Sequence, residues 1–133
     1  MGVLIDSNLL IAIERSQGAI QTLAERYADV PVYISVISVS ELLYGVEQAL
    51  TPAKRADRAS FVEKIIRAIP VLDIQERTAR IHAKLDVTLD RQGNRIGADD
   101  LWIAAQCIEH GLTLITRNLR EFQRVPGLQV TQW

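Results

Sequence analysis

Short apolar runs alternate with longer amphipathic segments along the chain. The short runs, rich in Val, Leu and Ile, are typical of buried strands, and they occupy residues 3–5, 32–34, 70–72, 112–115 and 128–130. Apolar residues at helical spacing fill the segments between them, at residues 9–27 with a break near Gly18, 41–50, 53–68, 75–91 and 99–108. This alternation predicts an α/β fold, a three-layer α/β/α sandwich with a mostly parallel sheet of four or five strands.

Local signals refine where the first helices begin. Ser7 or Asn8 is placed to cap the first helix, and Ser38 or Ser40 the helix after the second strand. Gly45 lies inside that later helix, where glycine is unfavourable, so we expect close packing there. The segment 99–108 is apolar on nearly every side, which predicts a central helix.

Composition narrows the class of protein. The chain has 133 residues, so we expect one domain over residues 1–133. A net charge of -1 gives no general sign of nucleic-acid binding. The single cysteine excludes an internal disulfide and fits a reducing compartment. Because the sequence has neither an apolar stretch of membrane-spanning length nor a secretory leader pattern, we expect a cytoplasmic protein.

Polar side chains recur at the carboxyl ends of the predicted strands. Asp6 follows the first strand, Glu41 lies in the first turn after the second, and Asn118 follows the fourth. Asp99 and Asp100 open the central helix. In a parallel α/β sheet these positions share one edge, which is where ligands bind.

Two interpretations of these acids compete. Each could cap a helix, since acidic groups are favoured at helix N-termini. If they converge, however, their charges repel and raise some pKa values, and a divalent cation such as Mg²⁺ or Mn²⁺ relieves this repulsion. Three acids on one predicted edge favour the metal site. Asp99 and Asp100 cannot both point inward from one helical turn, so one is the ligand and the other a cap or supporting group.

Other chemistries find less support in the sequence. It contains no phosphate-binding glycine loop, Ser-His-Asp signature or zinc spacing. His82 and His110 are not in a metal-like spacing, and Cys107 lies in an apolar helix as a core residue would. The basic face of residues 54–67 is typical of a solvated helix.

Four stretches, in order, resemble the PIN-domain ribonucleases, and within them the VapC toxins of toxin–antitoxin pairs. The stretches are Leu4 to Asn8, Ile37 to Gly45, Ile96 to Ala105 and Leu114 to Phe122. Each motif alone is weakly specific, but four in the family's order across nearly the whole chain are a strong match.

The resemblance implies a metal-dependent endoribonuclease that uses Mg²⁺ or Mn²⁺. Asp6 matches the family's first acid, Glu41 the second, and Asp100 the third better than Asp99 does. Asn118 falls where many members carry a fourth acid and others carry Asn. Thr116 matches a hydroxyl residue that supports the site, and Ser7 is a second candidate for that role.

The implied substrate is single-stranded or looped RNA, with tRNA and ribosomal RNA both left open. Because the chain is slightly acidic, the metal ion would supply local positive charge. Four arginines close to the motifs are candidates for contacting RNA phosphates: Arg15, Arg95, Arg117 and Arg120. A non-catalytic PIN-like scaffold that binds RNA or protein is the alternative function, although three retained acids argue against it.

The resemblance also implies a VapB-like antitoxin partner and a homodimer. Six apolar residues on the helices after the first two strands offer more apolar surface than one sheet face requires: Ile20, Leu23, Leu42, Leu43, Val46 and Leu50. Exposed patches of this kind mark interfaces. The competing interpretation is that these residues complete the core.

Overall fold

A single parallel sheet forms the middle of the molecule. The structure is a computed structural model that describes residues 2–16 and 19–133, and for Ala19 and Ile20 the backbone alone. Within these ranges the strands lie in the order β3-β2-β1-β4-β5, and every neighbouring pair is parallel. They are β1 (Val3–Ile5), β2 (Val32–Ser35), β3 (Val71–Leu72), β4 (Thr113–Thr116) and β5 (Val130–Gln132).

Helices cover both faces of the sheet. They are α1 (Ser7–Arg15), α2 (Ala19–Arg26), α3 (Val36–Glu47), α4 (Pro52–Ala68), α5 (Glu76–Arg91), α6 (Ala98–His110) and α7 (Leu119–Phe122). One core joins the sheet to α1 to α4, and a second joins it to α5 to α7. The predicted three-layer α/β/α sandwich is confirmed, with five strands. No helix in the described ranges is long and apolar enough to cross a membrane.

The central strand β1 explains why Asp6 lies in the middle of one sheet edge. Leu4 and Ile5 are fully buried but belong to opposite cores, because successive strand side chains point to opposite faces. Both faces of β1 are therefore covered, which accounts for its uninterrupted apolar run. The residue that follows, Asp6, emerges at the carboxyl end between β2 and β4.

The predicted caps of α1 and α3 both lie later in the chain than the observed ones. The helix after β2 begins at Val36, and the Ser35 hydroxyl accepts a hydrogen bond of 3.0 Å from the Ile37 N–H. Ser35 is the last residue of the strand, so its hydroxyl is the first to reach the free N–H groups. The earlier start puts Glu41 in the second turn rather than the first. Likewise α1 begins at Ser7, with Asp6 rather than Ser7 or Asn8 in the cap position.

Smaller differences occur at other element boundaries. Gly18 lies outside the described residues, so the predicted break there is not tested at that position, although α1 ends at Arg15 and α2 begins at Ala19. The last strand lies two residues later than predicted, because a turn through Gly127 at a φ of 80° precedes it. The central position of α6 is confirmed, since its residues Leu101, Ile103 to Ala105 and Cys107 are all buried.

Gly45 does not have the close packing predicted for it. A Cβ built there meets no heavy atom within 4 Å in the described part of the chain, its own turn of helix aside. The position faces open space, and its carbonyl oxygen accepts a hydrogen bond of 2.8 Å from Arg58 Nη1.

Gly45→Ala is therefore expected to stabilise the protein by about 0.5–1 kcal/mol, because alanine restricts the unfolded chain at no steric cost here. Urea unfolding of both proteins measures the difference. An unchanged or lower free energy of unfolding would show that the helix needs glycine for another reason.

Candidate active site

Asp6 is a buried carboxylate held by a neighbouring strand. Asp6 is 1% exposed. The Thr116 hydroxyl, at the end of β4, donates a 2.7 Å hydrogen bond to Asp6 Oδ2. Burial raises the pKa of Asp6, and the hydrogen bond from Thr116 offsets this only in part. The carboxylate makes no capping hydrogen bond within the described chain. Capping therefore does not explain Asp6, and a site role fits it better.

Glu41 approaches the same edge from α3. The Ser7 hydroxyl donates a 2.9 Å hydrogen bond to Glu41 Oε1, which joins the start of α1 to the second turn of α3. Burial is the main cause that raises the pKa of Glu41, followed by the charges of Asp99 and Asp6. Ser7 thus orients Glu41, and its supporting role in catalysis stays a prediction.

The two neighbouring acids of α6 differ in their surroundings. Asp100 is half-buried, and its pKa is raised to about 7 by burial, then by repulsion from Asp6, Glu121 and Glu41. Asp99 is exposed, and its charge acts on Glu41. The start of α6 therefore lies at the same edge as the strand ends. Asp100 is among the acids there, and Asp99 is the exposed one of the two.

Glu121 is a member of this cluster that the sequence prediction missed. Its carboxylate accepts a 2.6 Å hydrogen bond from the Gly97 N–H and a 2.7 Å bond from Asn118 Nδ2. The Gly97 bond is the main cause that lowers the pKa of Glu121, while a hydrogen bond with Glu121 raises that of Asp100. The sequence does contain a signal for Glu121. Residues three apart on a helix share a face, and Glu121 follows the candidate site residue Asn118 by three.

Asn118 has a positioning role in this arrangement. Its backbone N–H donates to the Thr116 hydroxyl at 2.9 Å, while its side chain holds Glu121. Thr116 therefore accepts from Asn118 and donates to Asp6, which fixes the direction of its hydroxyl proton. The negative charge at this corner is carried by Glu121 rather than by residue 118.

The four predicted phosphate-contacting arginines are scattered. Arg15 lines a cleft that also includes Glu41. Arg95 pairs with Asp90 at 2.8 Å. Arg117 is exposed on the bend after β4, and Arg120 is exposed on α7. The histidines lie elsewhere, His82 stacked on Trp102 and His110 3.5 Å from Glu109.

The raised pKa of Asp100 predicts a pH dependence of stability. The folded value of about 7 exceeds the ordinary 3.8, so the folded state binds this proton more tightly. Asp100 thus contributes stability that is fully present below about 3.8 and is lost as the pH rises through about 7. In EDTA, the melting temperature of wild type should fall relative to that of Asp100→Asn between these pH values. A difference between the two proteins that is constant with pH would contradict the prediction.

Comparison with known proteins assigns this chain to a family. The family model described as PIN domain matches residues 3–128. Ribonuclease VapC1 of Rickettsia felis is 33% identical over 130 residues, which cover 98% of this chain and 95% of the relative. A Salmonella typhimurium protein named tRNA(fMet)-specific endonuclease VapC is 36% identical over 100 residues, covering 75% of this chain and 74% of its own.

Solved structures agree with the sequence relatives. A structure of VapBC2 from Rickettsia felis bound to a promoter DNA fragment contains a chain that matches with a TM-score of 0.90 and 25% identity, covering 100% of this chain and 99% of that one. DNA-bound VapBC from Salmonella typhimurium matches with a TM-score of 0.89 and 30% identity, over 100% of this chain and 98% of that one. The five-stranded parallel α/β fold is thus that of known relatives. The chain belongs to the PIN-domain family and, within it, to the VapC group.

Proposed function

We propose that this protein is a metal-dependent endoribonuclease that acts in the cytoplasm as the toxin of a type II toxin–antitoxin pair. The observation that carries the proposal is the gathering of four carboxylates around the end of β1. They are Asp6, Glu41, Asp100 and Glu121, and charge repulsion among them contributes to the raised pKa values of the first three. The VapC relatives, which are named as ribonucleases, support the same activity.

The donor set fits Mg²⁺ or Mn²⁺. Among the described residues, no three His, Cys, Asp or Glu side chains are already arranged to hold an ion. The fit rests instead on chemistry, because the available donors are carboxylate oxygens whose mutual repulsion a hard divalent cation would relieve. Asp6, Glu41 and Asp100 are the ligands we propose, with Glu121 as a further carboxylate beside Asp100.

The ion, when bound, would activate water and stabilise charge on the phosphate. The protein's own groups prepare the site for this. Thr116 holds the Asp6 carboxylate in one orientation, and Ser7 does the same for Glu41. Gly97 and Asn118 hold Glu121 beside Asp100. Hydrolysis by water in this way leaves a 5′-phosphate and a 3′-hydroxyl.

Single-stranded or looped RNA is the proposed substrate class, because its bases are free to be contacted. One relative is named for cleavage of initiator tRNA, so tRNA is a reasonable first substrate to test. Ribosomal RNA is the second.

Cleavage of RNA tests this proposal. The purified protein should cut total cellular RNA with Mg²⁺ or Mn²⁺ and stop when EDTA is added, and the products should carry 5′-phosphates. Full activity in EDTA would contradict metal dependence. RNA binding without cleavage under any divalent cation would favour the scaffold function instead.

We also propose a VapB-like antitoxin partner that binds beside the acidic site, and a homodimer of the toxin. A cleft of about 550 Å³ lies between α1, α3 and α4, with Ile11, Leu42 and Val62 among its apolar lining residues and Glu41 among its polar ones. The two similar solved structures are VapBC complexes. A cationic side chain of a segment in this cleft would reach the carboxylates and inhibit by charge as well as by bulk.

The predicted interface patch is only partly exposed. Leu23, Leu42 and Val46 are buried in the core, so the alternative interpretation is right for these three. Leu43 and Leu50 are exposed at 40% and 93%, and the Ile20 side chain lies outside the described set. Tyr44, 64% exposed, adds an apolar ring at the cleft.

Leu50→Ser is expected to weaken capture of the antitoxin at least about tenfold, because Leu50 lies beside the cleft, next to Gln48 and Lys54 of its lining, and a segment that extends past the cleft would bury it. Co-expression with the adjacent small reading frame, followed by purification through a tag on the toxin, measures this. Val87→Ser on α5 is the matched control, because Val87 is also exposed and apolar. Equal capture by both variants would place the partner elsewhere.

A further inference from the structure

A second cleft opens between α5 and the start of α6, the helix that carries Asp100. Its volume is about 350 Å³. The walls bring together two aromatic rings, two opposite charges and four apolar residues: His82, Trp102, Asp86, Arg95, Leu89, Ile96, Ala98 and Leu101. This combination is unlike the cleft beside Glu41, which has one aromatic ring, that of Tyr44.

The two rings at the cleft lie against each other, and both residues are partly exposed. The centroids of His82 and Trp102 are 3.7 Å apart, and the ring planes differ by 17°, so the rings are stacked. Burial lowers the pKa of His82, and the charge of Asp86 opposes this. At neutral pH the imidazole of His82 is therefore neutral. A third planar ring that stacks on this pair thus encounters no full charge on the imidazole.

The cleft and the acidic cluster share one segment of backbone. Arg95, Ile96 and Ala98 line the cleft, while the Gly97 N–H between them holds Glu121 at 2.6 Å. Two residues after Ala98 comes Asp100. A group bound in this cleft therefore lies next to whatever is bound at the carboxylates.

We propose that this cleft is a nucleobase subsite, which holds one unpaired base beside the phosphate that is cut. The inference rests on the proposed ribonuclease function. Aromatic faces bind bases of any kind by stacking, and Asp86 adds selectivity, because its carboxylate accepts hydrogen bonds from the exocyclic amino group of a base such as cytosine. Uracil has no such group. Arg95, exposed at the cleft and paired with Asp90 at 2.8 Å, would contact the backbone phosphate by exchanging this weak surface partner.

A second copy of the chain is the other occupant that this surface could have. The charges favour the base, because Arg95 already pairs with Asp90 at 2.8 Å and a protein face covering Asp86 would have to supply a further cation for it. The amino group of a base satisfies the Asp86 carboxylate directly.

Tryptophan indole N–H signals in a nitrogen-15 NMR spectrum test occupancy without relying on cleavage. The chain has two tryptophans, so Trp133 is an internal control, and Trp133→Phe assigns the signals. Adding cytidine 5′-monophosphate with Mg²⁺ should shift the Trp102 signal and leave Trp133 in place. Uridine 5′-monophosphate should need about tenfold higher concentration for the same shift. In Asp86→Asn the two nucleotides should titrate alike.

Cleavage of a randomised single-stranded RNA supplies the second readout. Wild type should show a preference for an amino-bearing base at one position near the cut, and Asp86→Asn should lose that preference. Val87→Ala, on the same helix but outside the cleft lining, should keep it.

The outcomes separate this inference from the proposed function. Cleavage with an unchanged base preference in Asp86→Asn, and no nucleotide shift at Trp102, would overturn the subsite while leaving the ribonuclease intact. A Trp102 shift in a protein that cuts no RNA would support the subsite and refute the ribonuclease. A Trp102 signal that moves with protein concentration and not with nucleotide would assign the cleft to a second copy and overturn the subsite.

Discussion

Asp6→Asn is expected to abolish RNA cleavage and at the same time to raise the stability of the fold. The variant loses one of the proposed metal ligands, and a bound metal contributes several kcal/mol to catalysis. Because each 1.36 kcal/mol is a factor of ten in rate, the loss should be roughly a thousandfold or more. The amide oxygen can still accept the hydrogen bond from Thr116.

The gain in stability has a separate cause. Burial raises the pKa of Asp6, which means that its charged form is disfavoured in the folded protein. At neutral pH the folded protein bears that cost, and a neutral amide of the same shape removes it. The melting temperature of Asp6→Asn in EDTA should therefore exceed that of wild type.

Initial rates of RNA cleavage in Mn²⁺ and thermal unfolding in EDTA measure the two effects on the same preparation. Asp29→Asn, which changes an exposed acid on the turn after α2, is the matched control and should leave both unchanged. An inactive variant with a lowered melting temperature would mean that Asp6 acts mainly in folding. A fully active one would remove Asp6 from the site.

The second large effect should separate two adjacent residues. Asp100→Asn is expected to lower cleavage about a hundredfold or more, because Asp100 is half-buried among Asp6, Glu41 and Glu121. Asp99→Asn changes an exposed carboxylate whose charge contributes to the raised pKa of Glu41. The cleavage rate of Asp99→Asn should stay within a few-fold of the wild-type rate.

Cleavage rates of the two variants, measured at one Mn²⁺ concentration and checked at a tenfold higher one, give the comparison. The two substitutions remove the same charge from neighbouring positions of one helix, so each is a control for the other. Equal losses would show that both carboxylates serve the site. A larger loss for Asp99→Asn would reverse the assignment.

The sequence predicted the parts of the site that depend on strand order. Val3 to Ile5 is too apolar to face water, so it had to be a buried strand, and Asp6 had to follow at its end. The hydrophobic pattern alone does not place Asp100 at this edge, because α6 does not directly follow a strand. The family motif around Asp100 supplied that placement. The structure brings both residues to one edge.

Side-chain hydrogen bonds account for what the sequence prediction missed. Ser35, Ser38 and Ser40 are equally good caps by type, and only the end of β2 decides that Ser35 is used. Glu121 looked like part of a surface turn, and its role depends on a bond from Gly97, which is 24 residues away in the chain. Gly45 shows the converse error, since a local rule predicted packing where the fold leaves space.

Calorimetric titration with Mn²⁺ tests most directly the claim that the carboxylates at the end of β1 form a divalent-cation site. Wild type and Asp99→Asn should both release or absorb heat with a saturable isotherm, and Asp6→Asn should show no binding over the same range. The same isotherm in all three proteins, or none in wild type, would contradict the assignment of this edge as the metal centre.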